Sequence, residues 1–418
     1  MSHITPTPGG TYRANWRDPS GRQRAKTFPT KKAARQFLAE IESSMTRGLY
    51  VDPHAGRRLF ADHAARWMSG RNTETTTAAR DASVMRTHVL PQWGSWPLSK
   101  IDHAAVQAWV TELGKRRSPD VVAKCYQLTA AVLRSAVSNR LLAFNPCEDI
   151  RLPPRRKHDS DERIITREEL VTVLLPVMPD RYRAIIATAG GAGLRWGEAA
   201  GLCADALDLD QRRLRVIRTI IEVSGHTSFK PFPKSAAGRR TVPLPPWLAE
   251  IIQEHRETYP AGENGLVFPS AVGKPLRRTL FRSRVWRPAL VRAGMLGTLT
   301  VVDDDTVSAG WTDITGATLA KEFPTEREAV LHLARSCAGG LRFHDLRHSY
   351  ATWLVDDGVP PNMVARVMGH EKITTTLQLY TRRTDDESRI LDALTDEPGE
   401  RDNPDDDDDP TGAPTANR

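Results

Sequence analysis

Residues 343–355 read FHDLRHSYATWLV, and residues 367–382 read VMGHEKITTTLQLYTR. In the first stretch His344 and Arg347 stand three apart, so on a helix they share a face. A fixed cation beside a titratable imidazole can hold a phosphate and move a proton. In the second stretch Gly369-His370 ends a helical run, and Tyr380 follows ten residues after His370. Taken singly, each feature has an ordinary explanation. Histidines pack in many cores, and a tyrosine near a helix end is usually a half-buried aromatic.

Two upstream stretches carry related chemistry. GGAGLRWGEAAGL, residues 190–202, follows an apolar run and presents Arg195 from a Gly-rich turn, with Glu198 one helical turn on. A planar guanidinium suits two phosphate oxygens at once, and a carboxylate behind it can fix its orientation. PKSAAGRRTVPLP, residues 233–245, sets Lys234 in a turn between two strand-like runs, beside Arg239 and Arg240. A lysine at a hairpin tip is ordinarily just solvated.

The ordered set is far more specific than its parts. An arginine in a G-L-R-x-G-E turn, a hairpin lysine, H-D-L-R-H-S-x-A, and then M-G-H followed by Y-T resemble the tyrosine recombinase (phage integrase) family. The likeness is strong over residues 164–395 and holds as a pattern over 58–155. It implies that Tyr380 attacks a phosphodiester, forming a 3′-phosphotyrosine and releasing a 5′-hydroxyl. Arg195 and Arg347 would grip the non-bridging oxygens, and His370 would add a hydrogen bond there. Lys234 would protonate the leaving oxygen, His344 would act on the nucleophile as acid–base catalyst, and Glu198 would support the site from behind. A free tyrosine is mostly protonated at neutral pH, hence the need for His344. The covalent bond conserves the phosphodiester energy, so no cofactor and no metal are expected.

The likeness further implies double-stranded DNA as partner, with core-type and arm-type sites. Four protomers would assemble on two duplexes, the helical and catalytic units would close around DNA, and a directionality factor is a candidate accessory. Two other classes stay open on the residues: a type IB topoisomerase-like enzyme, and a DNA-binding regulator without catalysis. The latter needs a damaged site, and none of the six positions is damaged.

Charge agrees with a polyanionic partner. The 418 residues carry a formal +8, but nine acidic and two basic residues lie from Asp396 onward, which leaves about +15 on the rest. A basic body of this kind is what binding a phosphate backbone requires. The tail, with Asp405 to Asp409 consecutive, is expected to be disordered by self-repulsion. No apolar run is long enough for a transmembrane helix, and the N-terminus lacks a secretory pattern. The four cysteines show neither metal-ligand spacing nor a disulfide framework, so a reducing cytoplasm fits.

The expected architecture is multidomain. Residues 1–55 form a small α+β arm-binding module, read as strands Thr11–Trp16 and Arg22–Phe28 around a turn at Asp18–Gly21, then a helix capped by Thr30. The family likeness makes its sheet three-stranded. Its cations Arg13, Arg17, Arg22, Arg24 and Lys26 lie on a β-ribbon, an element that fits a DNA groove. Residues 58–155 read as an all-α core-binding domain, with helices at 60–68, 75–88, 103–113 and 119–139 and PQWGSWPL as a connector. Beyond a Pro-interrupted linker at 151–163, residues 160–395 form a mixed α+β, mainly helical catalytic domain, and 396–418 a tail.

An inserted hairpin–helix module, about residues 298–340, interrupts that domain. WRDPSGRQRAKTFPTKKAARQFL (16–38) aligns without a gap with WTDITGATLAKEFPTEREAVLHL (311–333), ten of 23 positions being identical. Trp, Gly and Phe-Pro-Thr recur where a hairpin and a capped helix need them.

Overall fold

The computed structural model describes residues 2–19, 21–47, 50, 55–154, 163–230, 238–303, 305–371, 373–374 and 376–377. The chain divides into two compact units, Met1–Asp161 and Glu162–Arg418.

The first unit opens with β1 (His3–Pro6), β2 (Tyr12–Arg17) and β3 (Gln23–Phe28), an antiparallel sheet in that order, followed by α1 (Lys31–Thr46). Thr30 caps α1 by accepting the Ala33 N–H. Ala34, Leu38 and Ile41 recur at helical spacing and pack with Ala14 and Trp16 into a small core. A second core joins α2 (Phe60–Ser69), α3 (Thr75–Val84), α4 (His103–Gly114) and α5 (Pro119–Ser138). From α3 the chain runs through a wider turn, Met85–Val89, into Leu90–Trp93. The helix thus runs to Trp93, and of the expected connector 91–98 only the turn at 94–97 joins helical segments. Trp93 and Leu98 are fully buried, with Trp93 edge-on to Trp96 and Trp109 at 5.2 and 5.5 Å. Apolar burial outweighs the local breaker signal there.

In the second unit Thr166 and Glu169 form a reciprocal cap. The Thr166 N–H donates to Glu169 Oε2 at 2.7 Å, and the Glu169 N–H donates to Thr166 Oγ1 at 3.0 Å. The helical turns Glu169–Leu174 and Leu175–Val177 follow, then α6 (Asp180–Gly191) and the short α7 (Trp196–Ala200). Strands β4 (Leu207–Asp208), β5 (Arg213–Val216) and β8 (Arg240–Pro243) make one sheet, and β6 (Thr219–Val223) pairs with β7 (His226–Lys230) in another. The strands flanking Lys234 thus belong to different sheets. β7 pairs with β6 and β8 with β5, so the expected hairpin around Lys234 is not formed between them.

α8 (Pro246–Thr258) and α9 (successive turns Arg278–Phe281, Arg282–Trp286 and Arg287–Arg292) lead to the insert. There β9 (Thr298–Asp303), β10 (Thr306–Thr312) and β11 (Thr318–Phe323) form a sheet with β10 central, followed by α10 (Glu326–Ser336). Val307, Ala309, Val330 and Leu333 of the insert join the main core of this unit. The buried Arg287 donates to the carbonyls of Ala334, Cys337 and Gly339, fixing the exit of α10. α11 (Phe343–Asp356) and α12 (Pro361–Met368) complete the described elements.

Candidate active site

α6 ends in a glycine turn that only glycine can make. Gly193 has φ of 62°, and a Cβ there would lie 2.4 Å from a ring carbon of Tyr350. The turn points the Gly193 carbonyl at Arg347, whose Nη1 donates to it at 2.6 Å. Arg347 Nη2 donates to the Met368 carbonyl. These bonds use two of the five N–H donors of a guanidinium and leave the others for an anion. Arg347 is 2% exposed. Burial, and then the charge of Arg195, push it down to about 9, still protonated at neutral pH.

Arg195 starts α7. Its backbone N–H donates to Glu198 Oε2 at 2.9 Å and its Nη1 to Glu198 Oε1 at 2.8 Å. Its Nη2 reaches the Gly369 carbonyl at 3.4 Å. Glu198 does what a supporting carboxylate was expected to do, but it has a second partner that sequence reasoning passed over. Arg240 donates to both Glu198 oxygens, at 3.1 and 2.8 Å, and its Nε donates to the Val367 carbonyl at 2.6 Å. A signal existed: β8 alternates buried and exposed, and two residues before the core residue Val242 the inward position is Arg240. Burial would raise the Glu198 carboxyl, yet the hydrogen bonds and charge of Arg240, with Arg195 beside it, hold it down at about 2.

Three arginines thus converge on residues 367–369, the last turn of α12 and its left-handed cap, Gly369 at φ 62°. That cap presents His370, whose Nδ1 lies 2.8 Å from the hydroxyl of the buried Thr376. Burial and then the charges of Arg347, Arg195 and Arg240 push His370 down to about 4. His344 sits in the first turn of α11, its ring 4.8 Å from that of His348. It keeps an exposed face, but partial desolvation, then His348, Arg347 and Arg195, push it down to about 4. Both rings are therefore neutral at physiological pH and able to accept a proton. An open cleft of about 860 Å³ beside His370 is lined by Arg239 and Arg240, and by Arg215 and Arg366, cations that no motif announced.

Of the six residues expected to act, Arg195, His344, Arg347 and His370 come together with Glu198; Lys234 and Tyr380 lie outside the described residues, as does the acidic tail. The five cations of the N-terminal ribbon do not form one row. Cross-strand partners share a face: Arg24 and Lys26 pair with the buried Trp16 and Ala14, whereas Arg13 and Arg17 pair with Thr27 and Gln23 on the exposed face. Arg24 is tied to Asp18 at 3.1 Å, and Lys26 lies over the rings of Phe28 and Phe37. Arg22 sits exposed at the turn.

The chain is similar to known proteins along most of its length. The phage integrase family matches residues 324–387, and the phage integrase central domain matches residues 60–152. The putative prophage phiRv2 integrase of Mycobacterium tuberculosis is 28% identical over 383 residues, covering 88% of each chain. An integrase of Streptomyces ambofaciens is 24% identical over 388 residues, covering 88% of this chain and 87% of its own. Among solved structures, the Tn1549 transposon integrase in complex with circular intermediate DNA superposes with a TM-score of 0.59 at 18% identity, covering 81% of this chain and 100% of that one. A lambda integrase dimer bound to a core site gives 0.53 at 13% identity, covering 91% and 95%. The described chain is mixed α and β, mainly helical with small sheets, as such integrases are. These matches support a tyrosine recombinase of the phage integrase kind.

Proposed function

We propose that this enzyme, a site-specific recombinase that cleaves and rejoins DNA, uses Tyr380 as its nucleophile and the Arg195–Arg347–His370 cluster as its phosphate-binding site. The observation that carries the reading is the convergence of Arg195, Arg347 and Arg240 on the turn that presents His370. Two guanidiniums there can meet the non-bridging oxygens, where charge must be stabilised in the transition state. His370 Nδ1 pairs with the Thr376 hydroxyl; in the tautomer in which that hydroxyl donates, the neutral ring carries its proton on Nε2 and can donate it to an oxygen. His344, kept neutral by its cationic neighbours, can take the proton of the tyrosine. Lys234 is assigned the proton donor to the leaving 5′-oxygen.

The assigned units are 1–55 for arm-type DNA, 58–155 for core-type DNA, 160–395 for catalysis with the insert at about 298–340, and 396–418 as a tail. Arg13 and Arg17 of the first unit's sheet and Arg22 at its turn are the assigned DNA-facing cations, with Arg24 and the exposed Lys26 on the opposite face of the sheet. A tetramer on two duplexes, a directionality factor, and work in the cytoplasm complete the reading. In support of the last, all four cysteines are free, and among the described residues no helix is long and apolar enough to cross a membrane.

The test is Tyr380→Phe on a nicked suicide substrate. Only the attacking hydroxyl is lost, so core-site binding should persist while the covalent adduct vanishes from a denaturing gel; a persistent adduct would sink the assignment. For the proton donor, Lys234→Ala should slow cleavage by roughly 10²–10⁴-fold. A 5′-bridging phosphorothiolate, whose sulfur leaves with little protonation, should recover most of that rate. Equal defects on both substrates would mean that Lys234 only binds phosphate.

A further inference from the structure

The insert copies the N-terminal module pair by pair. Partners in β2–β3 run from Tyr12↔Phe28 to Arg17↔Gln23, and those in β10–β11 from Val307↔Phe323 to Thr312↔Thr318, each residue shifted by the same interval. The outer strands obey it too: His3↔Asn15 to Pro6↔Tyr12 correspond to Thr298↔Gly310 to Val301↔Val307. Thr30 and Thr325 cap equivalent helices by accepting from Ala33 and Glu328. Asp18 and Asp313 accept the N–H groups of Arg22 and Ala317 at 3.0 and 3.1 Å. Lys26 and Lys321 lie over Phe28 and Phe323 at 5.3 and 5.2 Å. One backbone plan occurs twice.

Its charge is reversed in the second copy. Residues 11–38 hold eight basic residues and one acidic, whereas 301–335 hold three basic and seven acidic. On the sheet face turned from the helix, Arg13, Asn15 and Arg17 give way to Ser308, Gly310 and Thr312. Asp303, Asp305, Glu322, Glu326 and Glu328 are exposed. The register gathers them at one end: Asp303 pairs with Thr306, Glu322 with Ser308, and α10 starts just after β11. Exposed Val301 and Val302 adjoin that end. Such a surface repels a phosphate backbone, and it matches a cationic protein surface.

We propose that the acidic end of the insert docks the basic N-terminal module of a second copy of this chain. Charge complementarity selects that occupant, since Lys31, Lys32 and Arg35 are exposed along α1 and oppose the sign of Glu322, Glu326 and Glu328. The docking platform is firm, its core merged with that of the catalytic unit and its exit fixed by Arg287. The proposal needs only that the N-terminal module is cationic, so it stands apart from that module's role on arm-type DNA.

The test mixes isotopically labelled and unlabelled full-length chains without DNA and treats them with a zero-length carbodiimide, which joins ammonium and carboxylate groups in contact. Mixed-isotope links between Lys31 or Lys32 and Glu322, Glu326 or Glu328 are expected. They should disappear for the unaltered chain as salt approaches about 1 M, and for a chain carrying Glu322→Lys, Glu326→Lys and Glu328→Lys. They should return when that chain meets one carrying Lys31→Glu and Lys32→Glu. An absence of mixed links at low salt, or links from the insert to some other surface of the partner copy, would overturn the proposal.

Discussion

α7 and α11 begin alike and do different work. Each opens with an arginine whose backbone N–H donates to a carboxylate three residues on, at 2.9 Å for Arg195 to Glu198 and 2.7 Å for Arg342 to Asp345. In each the guanidinium returns to the same carboxylate, at 2.8 and 2.9 Å. Both acids are buried at a helix N-terminus, where negative charge is favoured. The difference lies in a third partner. Glu198 is also gripped through both oxygens by Arg240 of β8, while among the described residues the Asp345 carboxylate takes its bonds from Arg342. A local cap becomes a positioning device when a distant strand closes on its carboxylate, because Arg195 is then registered against the sheet and the turn before His370.

That contrast can be broken most directly at the arginine. Arg195→Ala should lower single-turnover cleavage of a suicide substrate by about 10²–10³-fold, as when one donor to a developing anion is removed. If Asp345→Asn costs as much, the two caps are equivalent and the distinction fails. In stability, Glu198→Gln should cost about 3–5 kcal/mol, because Arg240 is left buried with its charge uncompensated. Asp345→Asn should cost about 0.5–2 kcal/mol, the loss of a cap. Adding Arg240→Met to Glu198→Gln should recover much of the larger deficit in denaturant titrations; a double variant no more stable than Glu198→Gln alone would show that Arg240 is not the stranded partner.

The smaller effects sharpen the picture through pH. Glu198 has a depressed carboxyl, so its stabilisation is complete above the ordinary 4.5 and is lost as pH falls toward about 2. The stability gap between the parent and Glu198→Gln should therefore close over that window. For activity, His344 and His370 are lowered from 6.5 to about 4 and so stay neutral as pH falls through 6.5. The kcat/KM profile should run level through 6.5 and fall only at more acidic pH; an acid limb centred at 6.5 would mean ordinary, solvated rings.

Short-range chemistry was legible in the sequence, and long-range closure was not. Thr30 announced its cap, and alternation and helical spacing located most elements, because those signals are carried by near neighbours. The Arg195–Glu198 contact was equally local. Arg240 was not, since its value comes from Glu198, 42 residues away, and from Val367. Trp93 failed for a similar reason: breaker residues around it spoke of a connector, while the distant Trp109 made it core. The N-terminal ribbon shows a subtler limit, in that a dense run of cations says nothing of face until the pleat divides Arg13 and Arg17 from Arg24 and Lys26.

An inserted segment can ordinarily be deleted as easily as it was gained, and this one no longer can. Excising residues 298–340 would take Val307, Ala309, Val330 and Leu333 out of the main core and leave the N–H groups of Arg287 without their carbonyls. Packing voids and orphaned donors both carry heavy penalties. Ancestry here has become a ratchet. Selection that preserves strand cleavage also preserves the module packed against α9, and its outward surface is free to drift toward new uses while its underside stays indispensable.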